Sequence, residues 1–114
     1  MEVLRYSERR SSIRKPVSLE VAVYYNGLGI LRCLTKNLSL HGMLLDTGAM
    51  VLPQNAAVDL TLIHRLTGIT QLQRIPATVV RVVDSGAGLI FHDLSLEVYG
   101  TVYSMLFPQK ESYI

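Results

Sequence analysis

The sequence predicts a mainly β domain, a small antiparallel barrel or sandwich closed by one C-terminal helix. Three observations carry this. Apolar residues alternate with polar ones along most of residues 17–91. Turn residues (Asn26-Gly27, Thr67-Gly68, Asp84-Ser85-Gly86) interrupt that alternation at short intervals. After residue 93 the period changes from two to between three and four. The chain has 114 residues, enough for one domain with its own core and too few for a second.

The elements follow in order. Residues 1–16 are polar, basic and non-periodic, and they read as a flexible arm that Pro16 delivers to the domain in extended form. Val17, Leu19, Val21, Val23 and Tyr25 alternate with smaller or polar residues as a half-buried strand. Asn26-Gly27 turns the chain into a hairpin partner at 29–38. A short third strand spans 43–47, and 48–56, with Pro53 and Asn55, is loop. Val58, Leu60 and Leu62 mark a fourth strand, with a turn expected at 65–71. The fifth, 73–83, is rich in β-branched residues, and Pro76 within it calls for an edge or a bulge. The sixth is Gly88 to Phe91. Leu96, Tyr99, Val102, Tyr103 and Leu106 form a helical stripe. Asp93 or Ser95 can cap it, Glu97 suits its N-terminal dipole, and Pro108 ends it.

Composition excludes several classes. Hydrophobic residues make up 49% and charged residues 18%, so the chain is not disordered. The longest stretches without a charged residue are 47–58 and 98–109, each well short of the roughly 20 apolar residues of a spanning helix. Glu2 and Arg5 stand where a signal peptide needs an apolar run, so no membrane insertion and a cytoplasmic setting are expected. Cys33 is the single cysteine, which excludes an internal disulfide; it reads as a small buried hydrophobe. His41, His64 and His92 lack metal-ligand spacing. Ser39 has no G-x-S-x-G elbow around it. No enzyme activity, metal or cofactor is expected.

Binding is better supplied. The net charge of +2 is uneven. Residues 1–15 carry five basic residues against two acidic ones, a net of +3, while the remainder carries six against seven, a net of −1. An anionic ligand should therefore meet the arm. Arg10 and Arg14 lie four apart, on one side of an extended segment, with Arg9 beside them. Guanidinium groups fork onto phosphate oxygens or a guanine edge. Further on, Asn37-Leu38-Ser39-Leu40-His41-Gly42 joins two strands, with the two short polar side chains facing one way and the two leucines the other. Gly42 there permits a positive φ or a close approach to the backbone.

With Arg10-Ser-Ser-Ile-Arg14 followed after one hairpin by Asn37-Leu-Ser-Leu-His-Gly42, the sequence resembles the PilZ domain family, whose members bind cyclic di-GMP. The run Gly88-Leu-Ile-Phe-His-Asp-Leu-Ser95 is similar to that family's last strand leading into its helix, and the likeness extends over about residues 8–107. The resemblance implies a six-stranded antiparallel β-barrel of split-barrel type with a C-terminal helix, in which residues 17–107 are the barrel and helix. It implies that Arg10 and Arg14 hold guanine and phosphate and that Asn37 and Ser39 hydrogen-bond a guanine edge. Gly42 would leave room for the ligand, and Gly88 would belong to the same site. A basic residue at the place of Arg9 accompanies two stacked nucleotides in the family. Asn37 replaces the commoner Asp, keeping an acceptor and removing a charge. The implied function is a stand-alone cyclic di-GMP receptor, monomer or weak homodimer, that signals to a downstream protein. Two or three bidentate arginine contacts plus phosphates, set against the cost of ordering the arm, correspond to a dissociation constant around micromolar, about −8 kcal/mol. Two other readings are a PilZ-like scaffold without nucleotide binding and a small single-stranded nucleic-acid binder. The second wants aromatic platforms and a basic groove. The net −1 outside the arm and the eight aromatics, three of them in the helix, argue against it.

Overall fold

The structure is a computed structural model that describes residues 13–26, 29–66 and 68–108. Six strands, β1 (Glu20–Tyr25), β2 (Gly29–Leu38), β3 (Gly42–Asp46), β4 (Ala57–Leu66), β5 (Ile69–Val83) and β6 (Gly86–Phe91), precede one helix, α1 (Leu96–Leu106). They close into an antiparallel barrel in the order β1-β2-β3-β6-β5-β4, with β4 pairing back onto β1. Closure leaves no sheet edge around the barrel. It decides between the barrel and sandwich alternatives that the alternation alone leaves open.

Alternation fills the inside. Val21 and Val23 of β1, Leu60 and Leu62 of β4, and Ile75, Ala77 and Val79 of β5 are all buried. They meet Leu45 of β3 and Ala87, Leu89 and Phe91 of β6 in one core. Cys33 is buried there, as expected of a small hydrophobe. Burial, with the nearby Asp46 charge, pushes its thiol pKa up. The helix plugs one mouth of the barrel with Val98, Val102 and Leu106. Ser95 caps it, its hydroxyl accepting from Val98 N–H at 3.2 Å, while Asp93 takes a left-handed φ of 48° before the cap.

Several boundaries differ from expectation for physical reasons. Regular pairing of β1 starts at Glu20, because the Thr35 side chain intervenes before it. The Thr35 hydroxyl accepts from Leu19 N–H at 2.9 Å and donates to Val17 O. Most of the turn expected at 65–71 is strand, β4 running to Leu66 and β5 starting at Ile69. Arg65 pairs with Thr70 and Leu66 with Ile69, and Gly68 supplies a φ of 81°. Pro76 sits where β5 loses its β6 neighbour. Its carbonyl accepts from His92 N–H at 2.8 Å, so its missing N–H falls on the same side, beyond the β6 ladder. The bulge in β5 lies instead between Val79 and Arg81. The buried face of the helix also differs from the predicted stripe. Val98 joins Val102 and Leu106, whereas Tyr99 and Tyr103 stay 42% and 47% exposed and Leu96 points outward. Branched aliphatics fill the barrel mouth, and the tyrosines keep their hydroxyls toward water while their rings stack at 6.4 Å.

Candidate functional site

An open groove of about 510 Å³ lies on the outer surface of the barrel. Its walls come from the arm root (Arg14), the β2–β3 turn (Ser39, His41, Gly42), Met43 of β3, Val80 and Arg81 of β5, and Gly88, Leu89 and Ile90 of β6. Among the described residues two guanidinium groups face it and no carboxylate lines it. Neither Arg14 nor Arg81 joins an ion pair among the described residues, whereas Arg32, Arg65 and Arg74 are all paired with acids. The groove is therefore complementary to an anion. Val80 and Ile90 are exposed and apolar, and they offer flat contact to a ring.

The structure brings together four of the residues singled out by sequence: Arg14, Ser39, Gly42 and Gly88. Arg9 and Arg10 lie outside the described residues. Asn37 does not line the groove. Its Oδ1 is buried and has no hydrogen-bond partner among the described residues, an acceptor left open at the end of β2.

Ser39 is buried, and its hydroxyl is engaged within the turn. Oγ accepts from His41 N–H at 3.2 Å and Gly42 N–H at 3.1 Å, and it donates to Gly42 O at 3.3 Å. A hydroxyl has one proton and two lone pairs, so these bonds use its whole capacity. Ser39 shapes the turn. Gly42 has a structural reason of its own. A Cβ there would stand 2.0 Å from the Leu89 carbonyl oxygen, so the absent side chain admits β6, not open space. Gly88 differs. A Cβ there would lie 3.7 Å from Arg81 Cβ and 3.8 Å from its Nε, so the Arg81 stem lies across the glycine.

Arg81 is the groove cation absent from the residues singled out by sequence. Ile75, Ala77 and Val79 point inward, and strict alternation would send Arg81 inward as well. A charge cannot be left unpaired in that core. The bulge resolves the conflict: Val79 pairs with Leu89, Val80 is extra, and Arg81 pairs with Gly88 on the outer face. The signal was present as an arginine at an inward phase of a β-branched strand. A second register shift lies in β2 between Thr35 and Asn37 and turns Asn37 off the core face in the same way. These two shifts are the only ones among the described pairings, and both border the groove or the turn beside it.

The chain is thus a closed six-stranded barrel with one helix in its mouth and a basic groove beside the β2–β3 turn. The PilZ domain family model matches residues 8–107, and the chain belongs to that family. Solved structures agree on the fold. The PilZ domain of CeSA from a cellulose-synthesising bacterium is 22% identical with a TM-score of 0.65, over 84% of this chain and 96% of that one. The Bacillus subtilis inhibitor of motility MotI/DgrA is 16% identical with a TM-score of 0.72, over 86% of this chain and 50% of that one. The Borreliella burgdorferi PlzA protein, solved in complex with c-di-GMP, is 17% identical with a TM-score of 0.61, over 91% and 45%. The chain thus spans half or less of the last two. No curated protein matches it significantly.

Proposed function

We propose that this chain is a cyclic di-GMP receptor and acts as an adaptor without chemistry of its own. The observation that carries the reading is the groove in which, among the described residues, Arg14 and Arg81 stand without a carboxylate, beside the Ser39–Gly42 turn. Family membership and the c-di-GMP complex of PlzA support it. Cyclic di-GMP presents two phosphates and two guanines, which call for cations and flat apolar contacts together. In this reading Arg14 and Arg81 hold phosphate or a guanine edge, and Val80 and Ile90 face a base. Asn37, through its open Oδ1, meets a guanine N–H once the arm closes.

Arg10, and Arg9 beside it, would complete the clamp from the N-terminal arm, expected over residues 1–16, which closes on the ligand beyond the root that Lys15 already pins to Leu38. That closure costs several kcal/mol of the gross interaction and leaves a micromolar site. The closed arm changes the surface offered to a downstream protein partner, the expected route of output in a cytoplasmic setting. Among the described residues no helix is long and apolar enough to cross a membrane. Equilibrium dialysis against labelled cyclic di-GMP tests the reading. Saturable binding displaced by unlabelled cyclic di-GMP and not by GTP or a short RNA supports it. Binding displaced equally by RNA would move the assignment to nucleic acid.

A further inference from the structure

We propose that Lys15 is a positioning residue that couples the nucleotide groove to the C-terminal turn of α1; the inference rests on the receptor reading above. Lys15 follows Arg14 directly. On an extended segment successive side chains point to opposite sides, so when Arg14 faces the groove Lys15 faces away from it. The Lys15 backbone is fixed to the end of β2. Its N–H donates to Leu38 O at 3.0 Å, and its carbonyl accepts from Leu38 N–H at 3.0 Å. Leu38 immediately precedes Ser39, the residue that shapes the groove turn. On the other flank Val17 N–H donates to Lys15 O at 2.7 Å across Pro16, which sets the direction in which the arm leaves.

The Lys15 side chain reaches the helix. Nζ donates to the carbonyl of Leu106, the last residue of α1, and stands 4.7 Å from the centre of the Phe107 ring. A helix C-terminus leaves carbonyls without intrahelical partners and carries partial negative charge. The last turn of α1 holds no basic residue of its own. Lys15, 91 residues away in sequence, supplies that cation. Phe107 in turn packs on Tyr103 at 4.8 Å, and Tyr103 on Tyr99, so the contact ends on the outward aromatic row of the helix.

One dipeptide therefore has a foot in each place. A ligand that holds Arg14 also holds the Lys15 backbone and with it the cation at the helix end. Linkage is reciprocal, so a firm helix end also populates the arm root in its binding position. The test compares wild type, Lys15→Met and Lys15→Arg by two readouts: the dissociation constant for cyclic di-GMP, and hydrogen exchange at the Leu106 and Phe107 amides with and without nucleotide. In wild type the nucleotide should slow exchange at those amides. Lys15→Met should lose that effect and bind about tenfold more weakly, the worth of one charge-assisted hydrogen bond. Lys15→Arg, which keeps the charge and its donors, should retain both. Wild type that binds cyclic di-GMP with unchanged exchange at the helix end overturns this coupling alone. So does a Lys15→Met protein that melts lower yet keeps wild-type affinity and the same nucleotide effect, since that would make Lys15 merely structural. Wild type that does not bind refutes the receptor reading and the coupling with it.

Discussion

Gly42 and Gly88 both belong to the groove, but the structure assigns them opposite roles, and alanine at each separates the two. At Gly42 the new Cβ would be placed 2.0 Å from Leu89 O and 3.1 Å from Leu89 C. These are backbone atoms, so no rotamer change relieves the clash, and β3 must move away from β6. Gly42 pairs with Ile90 at the start of that ladder, and its N–H also serves Ser39 Oγ. Overpacking of this kind costs about 1–3 kcal/mol, and disturbing the turn bond adds about 1 kcal/mol. Gly42→Ala should therefore lose roughly 2–4 kcal/mol, a fall in Tm on the order of 10–20 °C for a domain of this size. At Gly88 the nearest contacts of the new Cβ are 3.7 Å or longer, so Tm should stay within about 2 °C of the parent. The methyl group does fill groove space beside the Arg81 stem, so cyclic di-GMP binding should weaken severalfold. Thermal melts followed by circular dichroism, with binding measured on the folded variants, decide the matter. A Gly42→Ala protein that melts with the parent and loses only binding would refute the strand-approach argument and return that glycine to ligand clearance.

Arg14→Ala and Arg81→Ala should each weaken cyclic di-GMP binding about ten- to hundredfold, by loss of roughly 1–3 kcal/mol, with Tm unchanged because both side chains are exposed and make no ion pair among the described residues; titration of each variant checks this, and undiminished binding by Arg81→Ala would remove that residue from the site. Ser39→Ala leaves the His41 and Gly42 N–H groups without their side-chain acceptor and should cost about 1–3 kcal/mol of stability, read as a lower urea midpoint. The Cys33 thiol, pushed up by burial, should resist alkylation at neutral pH until denaturant is added; equal rates in native and unfolded protein would contradict its burial. The same shift has a sign for stability. A raised thiol pKa contributes fully below the ordinary thiol range and is lost as pH rises above it, so Cys33→Ala should flatten the alkaline decline.

The fold was readable wherever a strand has one buried face, because burial imposes the period of two. Val21, Val23, Leu60, Leu62, Ile75, Ala77 and Val79 all fall inside as their alternation requires. Readability ended where that constraint ends. Near the tip of the β4–β5 ribbon Arg65, Ile69, Thr70 and Gln71 are all exposed, so no buried face there imposes a strand pattern. The helix stripe was overread because Tyr99 and Tyr103 satisfy helical spacing without being buried. At the site, Arg14, Ser39, Gly42 and Gly88 were found from local motifs. Arg81 was not, because its outward position depends on a register shift against β6, a pairing between segments whose partnership the sequence does not state. The role of Gly42 was hidden for the same reason: the atom that forbids its side chain belongs to Leu89, 47 positions away in the chain.

The central claim is that this groove binds cyclic di-GMP, and titration calorimetry of the purified chain tests it most directly. The account predicts saturable heats with a dissociation constant around micromolar, about −8 kcal/mol, for cyclic di-GMP and none for GTP, with the heats abolished in an Arg14→Ala, Arg81→Ala double variant. The stoichiometry separates one bound nucleotide from the stacked pair that Arg9 implies. Absence of heat and of any thermal stabilisation at high micromolar cyclic di-GMP would contradict the claim and leave the PilZ-like scaffold reading in its place.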